Sequence, residues 1–150
     1  MFPFRHSNTS PKLPDGFILE SEYPPSAKDL NRLLSRCNEA TYSQGKLALA
    51  LENSVCNLSI IDEKNGKLSG FVRATSDYGL NINLWNLVAE PGKSQGQILA
   101  FLVYKSLNIL RRDLPGCSVS ISAPLISVEA LEKQGFLIDP GGIRAMGLRL

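Results

Sequence analysis

After Ser26 come Leu30, Leu33, Leu34 and Cys37, apolar positions whose three- and four-residue spacing places them on one side of a helix. "SAKD" at its start is a capping box in the aspartate form, so the pattern predicts a helix from Ser26 onward. Upstream, "GFILESEY" reads as a first strand ending at Pro24-Pro25; downstream, "QGKLALALEN" predicts a second, shorter helix with Gly45 weakening its first turn. Residues 54–77, "SVCNLSIIDEKNGKLSGFVRATSD", hold two strand-like runs joined through Asn65-Gly66, a dipeptide suited to a tight turn. They predict an antiparallel hairpin.

In the next run, "LNINLWNLVA", Leu80, Ile82 and Leu84 alternate with asparagines, but Trp85, Leu87 and Ala89 then become the apolar set. The phase slips by one residue. A regular strand would put the two sets on opposite faces, so either both faces are buried or a β-bulge between about Leu84 and Asn86 resets the register. Such a bulge would splay this strand from the one over residues 117–123.

Beyond "EPGKSQGQ" a broad apolar face from Ile98 to Leu110 predicts a long helix over 95–112, with Arg111 and Arg112 suiting its C-terminal dipole. "CSVSISA" supplies a strand, parallel to the previous one across the helical crossover, and "SVEALEKQ" a short helix closed by Gly135. The tail, "FLIDPGGIRAMGLRL", is expected to hold one or two strands broken at Pro140-Gly141-Gly142. The resulting order is β-α-α-β-β-β-α-β-α-β, an α/β (α+β) domain on a mixed sheet.

With 150 residues, 43% of them hydrophobic, the chain builds one core, so a single domain over 16–150 is expected behind a flexible arm at 1–15. Sixteen basic and 14 acidic residues are dispersed, with no run that would serve nucleic acid. No stretch has the length and apolarity of a membrane span and no leader resembles a signal peptide, which points to a soluble, cytoplasmic protein. Cys37, Cys56 and Cys117 are widely spaced and form no C-x-x-C, and the single histidine, His6, lies in the arm. Histidine-dependent triads and a metal site are therefore not expected.

The element order, together with "EPGKSQGQ" and "ALEKQGF", resembles the GNAT acyltransferase superfamily. More closely, "GFVRATSD", "LWNLVAEP" and "GFLIDPGGIRAM" look like the cyanobacterial and plastid branch that includes serotonin-type amine N-acetyltransferases. The resemblance implies acetyl-CoA as co-substrate, no metal, and a wedge where the strand before a phosphate-binding loop splays at a bulge. It places Leu87, Val88 and Ala89 along the pantetheine and Gln95, Gly96, Gln97, Ile98 and Leu99 at the pyrophosphate. It also marks departures. The second and third loop glycines of that branch fall on Ile98 and Ala100, or on Gln97 and Leu99, and Cβ atoms there are expected to obstruct phosphate. Its asparagine falls on Pro124, its strand aspartate on Asn86, and the tyrosine that protonates the leaving thiolate on Leu131.

Arg73, Asp77, Trp85 and Asn86 are the substrate-side candidates, although an Arg73–Asp77 ion pair and a packed Trp85 are the simpler readings. With Leu131 at the acid position the catalytic group is open, Glu90 and Tyr78 being weak candidates. Two functions follow. One is direct acetyl transfer to a small-molecule primary amine, and the other a non-catalytic relative holding CoA, another ligand or a protein partner. Neither involves nucleic acid or membrane, and homodimerisation is left open.

Overall fold

The computed structural model describes residues 10–139 and 146–150. β1 (Phe17–Glu20) leads to α1 (Ala27–Arg36) and α2 (Gln44–Glu52), then to the hairpin of β2 (Cys56–Asp62) and β3 (Leu68–Ser76). β4 (Asn81–Ala89), α3 (Gln95–Asp113), β5 (Ser118–Ile121) and α4 (Val128–Lys133) complete it, with a 3-10 turn at Leu125–Ser127 before α4. The strands form one sheet in sequence order. The first four are antiparallel, and β4 and β5 are parallel across the α3 crossover.

Local signals account for the joints. Ser26 Oγ accepts the Asp29 N–H at 3.1 Å, half of the expected capping box, while the Asp29 carboxylate lies 3.8 Å from Arg32. At the hairpin the Gly66 N–H donates to the Asp62 carbonyl at 2.8 Å, and Asn65 Oδ1 accepts from the Lys67 N–H. Among the described residues, no helix is long and apolar enough to cross a membrane.

The sheet is covered on both faces. Leu58, Ile60, Val72, Ile82, Leu84 and Leu87 pack with Ile98, Leu99, Leu102 and Val103 of α3. On the other face Leu68, Phe71 and Val88 meet Leu30, Leu33 and Leu34 of α1 and Leu47 and Leu51 of α2.

The two ends of the chain are described in part. Of the arm, residues 1–9 lie outside the described residues, but Leu13 packs on the α3-side core. Gln97 Nε2 and the Tyr104 hydroxyl donate to the Lys12 carbonyl and to Ser10 Oγ. In the tail, Phe136–Asp139 and Met146–Leu150 form no strand, and 140–145 lie outside the described residues. Leu137 and Ile138 are adjacent yet 89% and 72% exposed, so neither has the covered face that makes a strand worth forming.

α3 sits close to the sheet because β3 has no side chain at Gly70. A Cβ there would stand 2.6 Å from Ile98 Cγ2 and 3.2 Å from Ile60 Cβ. Gly70→Ala is therefore expected to lower stability by about 1–3 kcal/mol in urea unfolding, the usual cost of overpacking. Ile98→Ala in the same chain should recover part of that loss; strictly additive effects would show that the contact is not the cause.

Candidate functional site: a wedge between two parallel strands

β4 pairs with β5 only from Asn81↔Ser118 to Leu84↔Ile121, after which β4 runs on to Ala89 without that neighbour. Against β3, the register steps from Arg73↔Trp85 to Phe71↔Val88, so Asn86 and Leu87 together oppose Val72. Asn86 is left-handed, with φ 54°. The expected bulge is thus present, at the end of the stretch that the alternation marked. It explains the phase slip, since Ile82 and Leu84 before it and Leu87 and Ala89 after it all enter the α3-side core. Trp85, grouped by the alternation with Leu87 and Ala89, is instead outside that core and 44% exposed.

Arg73 braces this point. Its Nε donates to Asn86 Oδ1 at 2.8 Å, its Nη1 reaches Ser54 Oγ at 3.4 Å, and its guanidinium lies 5.7 Å from the Trp85 ring centre. Burial lowers its pKa from the usual arginine value. Trp85 Nε1 donates to Thr75 Oγ1 at 2.7 Å, which fixes the ring.

At the far end of β4 the chain turns through Glu90-Pro91-Gly92, Gly92 taking φ 144°, a conformation that side chains rarely permit. Glu90 is held by Arg36 Nε at 2.8 and 2.7 Å, and Arg36 Nη2 also donates to the Leu68 carbonyl. The Ala89 carbonyl accepts from Gln95 Nε2 at 3.0 Å and from Cys37 Sγ at 3.3 Å. Burial first, then the nearby Glu90 charge, pushes the Cys37 thiol up to about 11. It remains protonated.

α3 opens without a side-chain cap at Ser94. Gln95 donates to Gly92 and Ile98 to Ser94, whereas the N–H groups of Gly96 and Gln97 have no partner among the described residues. Ile98 and Leu99 turn into the core. Their side chains are therefore not beside the exposed loop, contrary to the obstruction expected from the sequence. Gly96 and Gln97 are exposed, and Gln95 is half-buried.

On the α1 side of the splay lies a cavity of about 160 Å³, lined by Leu34, Glu39, Tyr42, Trp85, Ser122 and Pro124, among others. A second, of about 900 Å³, shares Glu39, Trp85 and Pro124 and extends along β5 to Leu131 and Phe136. Sequence reasoning passed over Glu39, Tyr42 and Ser122. The available signal was Asn38, which ends α1 with φ 56°. Its N–H donates to Ser35 and the Glu39 N–H to Leu34, the paired bonds of a Schellman cap. Asn31 holds the next segment, with Nδ2 donating to the Tyr42 carbonyl and Oδ1 accepting the Tyr42 N–H.

Other candidates are not gathered here. Asp77 Oδ1 accepts the N–H groups of Gly79, Leu80 and Asn81 in the β3–β4 turn, bonds that hold its carboxyl down at about 2. It forms no ion pair with Arg73. Tyr78 stands exposed in the same turn, at the opposite end of β4 from the wedge. Glu90 is engaged by Arg36. Leu131, 3% exposed, lines the larger cavity with an apolar side chain.

No family model matches the chain. It is 37% identical over 103 residues to the uncharacterized N-acetyltransferase ycf52 of Pyropia yezoensis, covering 67% of this chain and 59% of that protein. To the histone acetyltransferase TAP1 of Glycine max it is 32% identical over 148 residues, covering 89% of this chain and 63% of that one. The chain thus spans about three fifths of the length of these relatives. In three dimensions it matches a Staphylococcus aureus protein of unknown function, a probable acetyltransferase, with a TM-score of 0.74 at 18% identity, over 89% of this chain and 100% of the other.

The bulge predicts an order of substitutions at residue 86. Asn86→Gly keeps the left-handed backbone free of strain and loses only the Arg73 bond, an expected cost of about 1 kcal/mol. Asn86→Val adds a β-branched side chain in that conformation and should cost about 1–2 kcal/mol more, read from urea midpoints. Equal midpoints for the two variants would place the strain elsewhere.

Proposed function

We propose, for a chain that belongs to the GNAT acyltransferase superfamily, an acetyl-CoA-dependent N-acetyltransferase that acts on a primary amine by direct transfer. The observation that carries this reading is the wedge itself: a β4 edge that, among the described residues, has no β5 partner beyond Leu84 and runs into a helix whose Gly96 and Gln97 N–H groups have no acceptor. Those groups suit a pyrophosphate, because first-turn N–H donors and the helix dipole favour an anion without needing a particular side chain. The β4 backbone at Leu87, Val88 and Ala89 suits an extended ligand with amides of its own.

Bound there, acetyl-CoA supplies an electrophilic thioester carbon and a thiolate leaving group. The chain's contribution is then positional: holding the thioester at the wedge and the amine beside it converts a two-body encounter into an oriented one. Cys37, whose thiol donates to the Ala89 carbonyl just before the loop, is kept protonated, which argues against a covalent acyl-enzyme and for direct attack by the amine. At Leu131 the chain offers no proton to the departing sulfur.

A second reading, a wedge retained without catalysis, is favoured by two observations. Leu131 is apolar, and the Ala89 carbonyl is already satisfied by Gln95 and Cys37. Ligand binding and turnover separate the two. Acetyl-CoA at about 100 times its dissociation constant should stabilise the protein by roughly 2.7 kcal/mol, visible as a rise in Tm. Leu131→Tyr should increase CoA release with arylalkylamines or polyamines by about 10²-fold if a missing acid limits the rate. Binding with no turnover in either protein would favour the non-catalytic reading, and no binding at all would sink both as CoA proteins.

A further inference from the structure

We infer that Glu39 is the group that docks the acceptor's ammonium, and that the acceptor enters the wedge from the α1 side. This rests on the acyltransfer reading above and adds the specificity-determining residue. The Schellman cap at Asn38 fixes the path of the chain at Glu39, because the Glu39 N–H is tied to the Leu34 carbonyl at 2.9 Å. Glu39 lines both the 160 Å³ cavity at the splay and the 900 Å³ cavity along β5. Its carboxylate makes no hydrogen bond or ion pair with any described residue, and although Glu132 and Asp139 also line the larger cavity, Glu39 is the carboxylate common to both. No lysine, arginine or histidine stands among the described residues that line either cavity.

The walls fit an amine carried on an apolar body. Trp85 borders both cavities, its ring fixed by the Thr75 hydroxyl, and Ile121 continues the apolar wall along β5. A protonated amine at Glu39 thus gains a charge-assisted hydrogen bond, and its carbon skeleton lies against Trp85. A neutral acceptor of the same shape keeps only the second contact. The site therefore selects ammonium over alcohol.

Trp85 is the single tryptophan of the chain, so its fluorescence reports occupancy without any turnover. 2-Phenylethylamine, butylamine and spermidine, each compared with a neutral alcohol of similar length, are titrated into the wild type and Glu39→Gln. At least one amine should perturb the wild-type emission, and Glu39→Gln should weaken that binding about tenfold or more, the scale of one charge-assisted hydrogen bond. Alcohol binding and Tm should be the same in both proteins. The inference is overturned if no amine perturbs Trp85, if amine and alcohol bind the wild type alike, or if Glu39→Gln binds amines as tightly as the wild type. The Tm rise with acetyl-CoA is measured on the same samples. Its absence alongside Glu39-dependent amine binding would remove the acyltransfer reading and leave the ammonium site standing.

Discussion

Arg73 donates across the β3–β4 ladder to Asn86, and the rest of the wedge hangs on where that bond falls. Before it, β4 is an interior strand with partners on both sides; beyond it, one edge has no partner strand among the described residues. A left-handed asparagine is tolerated at this position because its own side chain is used to hold it, and the guanidinium that holds it is in turn kept in place by Ser54 and Trp85. The bulge does two things at once. It opens the strand edge, and it swaps the faces so that Leu87 and Ala89 still reach the core that Ile82 and Leu84 began.

Much of this was legible because it is written in local chemistry. The helix after Ser26, the hairpin at Asn65-Gly66 and the phase slip at Leu84–Trp85 are signals carried within a few residues, and each appears in the structure. The side to which Trp85 turns was not legible, since it depends on which residue of the bulge takes the left-handed conformation. Nor was the fate of Ile98 and Leu99. In sequence they stand where the related loops carry glycine; in space they belong to the core, because the bareness of Gly70 draws the helix onto the sheet. Glu39 escaped notice for a related reason: it reaches the cleft through long-range packing of α1 on β4, which no spacing within α1 reports.

The charges near the wedge are divided by their partners. Glu90 and Arg36 satisfy each other with an ordered geometry, tying the end of β4 to the end of α1 and to the Leu68 carbonyl. That pair is partly solvated, so its role is better described as alignment than as a large store of stability. Glu39, only a few residues beyond Arg36 along the chain, has no such counter-ion among the described residues.

Gln97 joins two parts of the molecule that a sequence diagram keeps far apart. Its side-chain amide donates to the Lys12 carbonyl, while its own backbone N–H, in the first turn of α3, has no acceptor among the described residues. For a ligand of that turn that also engages the Gln97 side chain, occupancy and the seating of the Ser10–Leu13 stretch would be thermodynamically linked. A ligand that recruits the Gln97 side chain must loosen the stretch, and one that leaves the amide on Lys12 is indifferent to it. By reciprocity, pulling on the N-terminal stretch would change the affinity for a ligand of the first kind by the same factor and for the second kind not at all.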